Sequence, residues 1–179
     1  MQTVLWVVVG VLGVTGMAAL VGSRGRHLSW IVFFAIAALA ASAACGTPQD
    51  SSRVAADVVS LTVAGEPGAY EFAVGLASPD TGCEQYANWW EVVGLDGSLI
   101  YRRILTHSHI TEQPFVRRGG PVKVSADAVV WVRASMHPTG YEGIAFKGSV
   151  ARGFVAAEPG VAFAAELADQ EPLPQGCAN

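Results

Sequence analysis

Short β-prone runs, each ended by Gly, Pro or Asp, are the feature of this chain that most restricts its fold. Runs of strand length with turn residues between them predict β-sheets, because a helix needs an apolar pattern that continues over several turns. The strands predicted in this way are residues 54–63, 69–77, 89–95, 99–105, 122–124, 129–136 and 144–154.

The size of this region narrows the prediction further. Seven strands in about 100 residues is typical of an immunoglobulin-like domain. We therefore expect an all-β fold, an immunoglobulin-like antiparallel β-sandwich of about seven strands, over residues 54–156. Residues 157–179 contain no Lys or Arg and are expected to form an acidic C-terminal tail.

One turn predicts the register of a strand pair. Leu95-Asp96-Gly97-Ser98 contains an Asp-Gly pair, which favours a type I′ hairpin turn with Leu95 opposite Ser98. That register pairs Val92 with Tyr101, Glu91 with Arg102, Trp90 with Arg103 and Trp89 with Ile104. Opposite charges then face each other across the strands, which supports the prediction. Residues 137–140 are expected to close a second hairpin, between the strand of Trp131 and that of Phe146.

The apolar residues of the chain are concentrated at its N-terminus. Residues 3–22 and 28–47 carry no charge, and all fifteen acidic residues follow Cys45. Arg24, Arg26 and His27 precede the second apolar run in the order of a secretory signal, a positive segment followed by an apolar one. We expect residues 1–44 to be hydrophobic signal or membrane segments and residues 45–53 to be a flexible tether.

The residues before Cys45 resemble a bacterial lipoprotein signal. Small residues, Ser42-Ala43-Ala44, lead directly to Cys45 and then to a polar, structure-breaking stretch. The resemblance implies lipidation of Cys45, although Ser42 stands where such signals carry an aliphatic residue. Cleavage after Ala43 with plain secretion, or a hairpin of two membrane helices, stays open, since a span needs about 20 apolar residues. All three place the domain in the cell envelope or beyond it, outside the cytoplasm.

The remaining two cysteines form an even pair. Cys83 and Cys177 are expected to bond to each other in an exported protein and to tie the acidic tail back to the domain.

The part of the chain beyond Cys45 is acidic. Without Arg24 and Arg26, it has nine basic and fifteen acidic residues, a formal charge of about −6. This balance argues against nucleic acid as a partner, because phosphate binding needs a basic surface.

Two groups of residues are candidate sites. His107 and His109 lie two apart on one face of an extended chain, with Glu112 and His137 as further ligands, a set that suits zinc or copper. A group of aromatic residues and one arginine is a candidate surface for an unknown protein or small molecule: Trp89, Trp90, Tyr86, Tyr101 and Arg103.

Sequence patterns of common enzymes are missing from the chain. It has no Gly-x-Ser-x-Gly elbow, no His-Glu-x-x-His helix and no phosphate-binding glycine loop. Residues 55–155 resemble uncharacterised secreted bacterial proteins of β-sandwich fold, a resemblance that implies no activity. The favoured function is a noncatalytic, membrane-tethered binding or structural module without a cofactor. A small zinc- or copper-binding protein is the alternative.

Overall fold

A computed structural model describes residues 53–178 of the 179-residue chain. The predictions for residues 1–44 and for Cys45 lie outside these described residues. No helix within residues 53–178 has the length and apolar character needed to cross a bilayer.

Eight antiparallel strands form two sheets within residues 53–178. The three-stranded sheet has the order β1-β2-β5, and the five-stranded sheet has the order β4-β3-β6-β7-β8. The strands are β1 (Asp57–Ala64), β2 (Tyr70–Ala77), β3 (Tyr86–Gly94), β4 (Leu99–Ile104), β5 (Phe115–Val122), β6 (Val130–His137), β7 (Ala145–Ser149) and β8 (Gly153–Ala157).

The predicted all-β sandwich is confirmed, with one strand more than expected. The chain crosses between the sheets after β2, β4 and β5, which places sequence neighbours in different layers as in immunoglobulin-like Greek keys. The predicted strand 144–154 is in fact two, because the chain turns at residues 150–152 and pairs β8 with β7. Residues 161–178 contain a short 3₁₀ helix, Ala165–Asp169.

The β3–β4 hairpin has the predicted register and a different turn. Trp89, Trp90, Glu91 and Val92 pair with Ile104, Arg103, Arg102 and Tyr101, as expected. At the turn, however, Gly94 bonds to Ser98, and only Gly97 has a positive φ, so the loop has three residues and is not type I′. A second irregularity between Val92 and Val93 restores the predicted pairs.

Strand β5 was predicted only at its last residue. Its sequence contains Arg117-Arg118-Gly119-Gly120-Pro121, which reads as a turn, yet it is an edge strand where charge and proline are tolerated. Gly119 has a packing reason: a Cβ there would lie 2.6 Å from the Tyr101 hydroxyl and 2.8 Å from the Trp90 ring. The small residue lets β5 pass over these two rings.

Hydrophobic side chains pack on both faces of the five-stranded sheet. The larger cluster lies between the two sheets and includes Phe72, Trp90 and Met136. The second cluster lies on the other face, where Trp89 and Trp131 pack with Leu167 of the C-terminal segment. The acidic tail is therefore a third layer of the domain.

Candidate functional site

The predicted aromatic surface is not exposed. Trp89 and Trp90 lie on opposite faces of β3, but each face is covered, and the two side chains are 4% and 0% exposed. Tyr86 is also buried, and Tyr101 is half-buried against the Trp90 ring. Of the five predicted residues only Arg103 is exposed, and it donates to the carbonyl oxygens of Arg118 and Ile104.

A buried carboxylate with two arginines lies at the centre of the five-stranded sheet. Glu91 on β3 is fully buried, with Arg102 of β4 on one side and Arg133 of β6 on the other. Arg102 donates to Glu91 Oε2 at 2.8 and 2.6 Å, and Arg133 donates to Glu91 Oε1 at 2.8 Å. Each carboxylate oxygen thus accepts a charge-assisted hydrogen bond.

The same two arginines hold the C-terminal segment by its backbone. Arg133 donates to the carbonyl oxygens of Phe163 and Ala164 at 2.6 and 2.8 Å. Arg102 donates to three more carbonyl oxygens, those of Leu167, Gln170 and Pro172. We call Glu91, Arg102 and Arg133 the arginine clamp. It fixes the tail through main-chain groups, so the tail's side-chain sequence gave little sign of the contact.

Tyr141 completes the surroundings of the arginine clamp. Its ring lies 3.5 Å from the Arg133 guanidinium carbon, and its hydroxyl accepts a hydrogen bond from Arg102 at 3.3 Å. Burial, followed by the charge of Glu91, raises the pKa of Tyr141 to about 12. The phenol therefore stays neutral at physiological pH and contributes a polar wall to the buried ion pairs.

The chain enters the sandwich at one end, together with three loops and the disulfide. Asp57 at the start of β1 pairs with Ala77 at the end of β2, beside the loops 78–85, 105–114 and 138–144. The predicted disulfide is present and joins Cys83 of the first loop to Cys177 of the tail. We call this the loop end of the domain.

Asp80 connects two of the loops at the loop end. Its carboxylate accepts a hydrogen bond from the Ala87 backbone at 3.0 Å and one from the His109 backbone at 2.8 Å. The His109 ring stacks on Phe115 with 3.8 Å between ring centroids, and both its nitrogens are buried without a hydrogen-bond partner. The side chain is thus a core residue of the loop end.

Removing His109 is expected to flatten the pH dependence of stability. Burial, followed by the charges of Arg117 and His107, lowers the pKa of His109, and Asp80 and Glu112 oppose this shift only in part. Below about pH 6.5 the unfolded chain therefore binds a proton that the folded chain does not, and stability falls with acidification. We expect His109→Phe to reduce this slope in urea unfolding between about pH 7.5 and 5. His137→Gln, at an exposed histidine, is the control, and an unchanged slope in His109→Phe would contradict the assignment.

The four predicted metal ligands do not converge. His107 and His109 are close, with 4.5 Å between ring centroids, but Glu112 pairs with Arg117 at 2.8 Å. This hydrogen bond lowers the pKa of Glu112. His137 lies at the end of β6 against Tyr86. Within residues 53–178 no three His, Cys, Asp or Glu side chains are placed to hold one metal ion.

An open pocket lies beside the disulfide at the loop end. It is lined by Gly82, His107, Ser108, Ile110 and Ala178. Ile110 is 56% exposed, and the Ser108 hydroxyl is buried without a partner. The Ala178 backbone donates to the Thr106 carbonyl at 2.6 Å, so the tail forms one wall. The two histidines of residues 107–109 distinguish this segment in the sequence, but they predicted a metal site there.

Comparison with known proteins gives a partial likeness to a named relative. No family model matches the chain, and no solved structure matches it. A protein of Halomicrobium mukohataei that is named "Putative lipoprotein" is 38% identical over 89 residues. These residues make up 49% of this chain and 44% of the relative, so the chain spans less than half of that protein. The likeness supports a lipoprotein-like character.

Proposed function

We propose that this protein is a noncatalytic binding or structural module of the cell envelope, held at the outer face of a membrane through a lipid on Cys45. The sandwich is the functional domain, and the N-terminal residues are its signal and tether. A protein or small molecule that binds at the loop end is the proposed partner.

The use of the three cysteines carries this proposal. The disulfide takes Cys83 and Cys177, which leaves Cys45 from the three cysteines of the sequence. A disulfide is typical of proteins outside the cytoplasm. Cys45 follows small residues at the end of an apolar run, the position of the lipid-bearing cysteine in lipoprotein signals. The name of the Halomicrobium relative supports the same reading.

The fold agrees with a short tether at the loop end. Arg53 pairs with Asp57 at 3.0 Å, and the Thr139 hydroxyl donates to the Val54 carbonyl at 2.6 Å, so residues 53 and 54 are held at the loop end. The eight steps from Cys45 to Arg53 span at most about 29 Å. A lipid on Cys45 would therefore hold the loop end within that distance of the membrane surface.

Replacement of Cys45 tests the proposal. We expect Cys45→Ser, expressed as the full chain in a host that processes lipoproteins, to lose lipid modification and the mature mass that starts at residue 45. Intact mass and membrane fractionation of the wild type and the variant are the measurements. Ala44→Ser, which keeps a small residue before the cysteine, is the control and should be lipidated. A wild-type mass that begins at Ala44 or at Met1 would overturn the lipid tether.

A further inference from the structure

Strand β8 is an edge strand without charge. It lies last in the five-stranded sheet, and within residues 53–178 no strand pairs with its outer edge. Its sequence, Gly-Phe-Val-Ala-Ala, carries none of the charges or prolines that usually protect a sheet edge from pairing. Val155 at its centre is 69% exposed, the largest exposed fraction among the exposed large hydrophobic residues of the described domain.

The residues that flank β8 make it complementary to itself. Arg152 precedes the strand and Glu158 follows it. If two copies pair antiparallel with Val155 opposite Val155, Arg152 of each copy lies opposite Glu158 of the other. Directly opposed residues share a face of the sheet, so the opposite charges would meet at both ends. Within residues 53–178 neither residue takes part in an ion pair.

The other sheet edges are not self-complementary in this way. β5 carries Arg117 and Arg118 together with Pro121, and β4 carries Arg102 and Arg103. Symmetric pairing of these strands brings no opposite charges together, because Arg102, Arg117 and Arg118 already pair with glutamates of the same domain. β1 has Asp57 at its start and Glu66 just beyond its end, so its symmetric pairing would place acid opposite acid. Such juxtapositions of like charge are destabilising.

We infer that β8 is a dimerisation edge, which pairs antiparallel with β8 of a second copy of this chain. The pairing is isologous, and it joins the two five-stranded sheets into one sheet of ten strands. Backbone hydrogen bonds join the strands, the two Val155 side chains pack at the twofold axis, and the two Arg152–Glu158 pairs fix the register.

This symmetry is compatible with two copies on one membrane. The twofold axis is perpendicular to the sheet, so the loop ends point in opposite directions. When the dimer lies flat, with the twofold axis along the membrane normal, the two loop ends are at the same distance from the surface. Each tether can span up to about 29 Å, which exceeds the thickness of a sandwich whose packed sheets are about 10 Å apart. Each tether is therefore long enough to reach the membrane. Confinement to a membrane also raises the effective concentration of the second copy.

Cysteine cross-linking of the full chain in native membranes tests the inference. Directly opposed residues have Cβ atoms about 4.5–5.5 Å apart, close to the separation in a disulfide. We expect Val155→Cys to give a cross-linked band of twice the chain mass under a mild oxidant. Val116→Cys is the matched control, because Val116 is 53% exposed on the edge strand β5. Equal cross-linking of the two variants, or a band of any other mass, would overturn the homodimer.

Charge exchange tests the register in the same Val155→Cys background. Arg152→Glu alone and Glu158→Arg alone each place like charges opposite each other, and we expect each to lower the cross-linked fraction several-fold. The double variant, Arg152→Glu with Glu158→Arg, restores opposite charges and should restore cross-linking. Failure of the double variant to recover would contradict the antiparallel register. If the tether proposal fails, the intact mass will show a chain without lipid. The comparison of these cross-linking variants does not depend on that result.

Discussion

Glu91→Gln is expected to lower the free energy of unfolding by about 3–5 kcal/mol, the usual cost of removing one partner from a buried ion pair. Glu91 is fully buried, and its two oxygens accept hydrogen bonds from Arg102 and Arg133. Without the carboxylate charge, two guanidinium groups remain buried with neutral partners only, which are carbonyl oxygens and Tyr141. Urea unfolding of the full chain, with and without the substitution, measures the effect.

An exposed glutamate provides the control for this experiment. Glu71 pairs with Arg118 at 2.7 Å, as short as the contacts of Glu91, but the two side chains are 51% and 68% exposed. Surface pairs contribute about 0–1 kcal/mol, so Glu71→Gln should change stability little. Equal losses for the two substitutions would show that burial does not decide the strength of the arginine clamp.

Joint replacement of Cys83 and Cys177 by serine is expected to lower the free energy of unfolding by about 2–5 kcal/mol. The disulfide closes a loop over a sequence separation of 94, which restricts the unfolded chain strongly. The folded tail should loosen in part only. Hydrogen exchange should accelerate at residues 173–178. It should stay slow at the amides of Phe163, Leu167 and Gln170, which are hydrogen-bonded within a segment that the two arginines hold in place.

Reduction of the wild-type disulfide is the matched control for the serine variant. It breaks the same bond without a substitution and should give the same pattern of exchange. Accelerated exchange over the whole segment 163–178, in the variant and in the reduced protein alike, would show that the arginine clamp cannot hold the tail without the disulfide.

The strand pattern and one hairpin predicted much of the fold. The pairs of residues 89–92 were predicted from the position of the turn. They are correct because the loop is one residue longer than predicted and the irregularity between Val92 and Val93 shifts the register back by one residue. The sequence could not show this compensation, since either irregularity alone would have shifted every pair. Strand β5 was missed because an edge strand buries few of its side chains, and Arg117 to Pro121 has the composition of a turn.

The arginine clamp was predicted in part. The hairpin register placed Arg102 opposite Glu91, but it gave no sign that the pair is buried. The pair is buried by Arg133, which lies 42 residues beyond Glu91, and by the C-terminal tail. The tail binds through backbone carbonyl oxygens, which every sequence has, so its residue types do not predict the contact. The same tail covers Trp89, which explains why the expected exposed tryptophan does not exist.

The candidate sites show the limit of local spacing. The His-Ser-His segment was singled out as a metal site, but in the described fold the His109 backbone donates to Asp80 and the His109 ring stacks on Phe115. Whether the four predicted ligands meet depends on how the loops pack. Their spacing along the sequence does not determine that packing. Glu112 instead forms an ion pair with Arg117, five residues away.

The backbone contacts of the C-terminal segment have a consequence for proteolysis. A protease must draw several residues into an extended strand in its cleft and bind their main-chain groups before it can cut. In this protein the carbonyl oxygens of Phe163, Ala164, Leu167, Gln170 and Pro172 are already bonded to arginine. Cleavage within residues 163–172 therefore requires opening of the buried ion pairs first, so the resistance of this segment to proteolysis is coupled to the stability of the core.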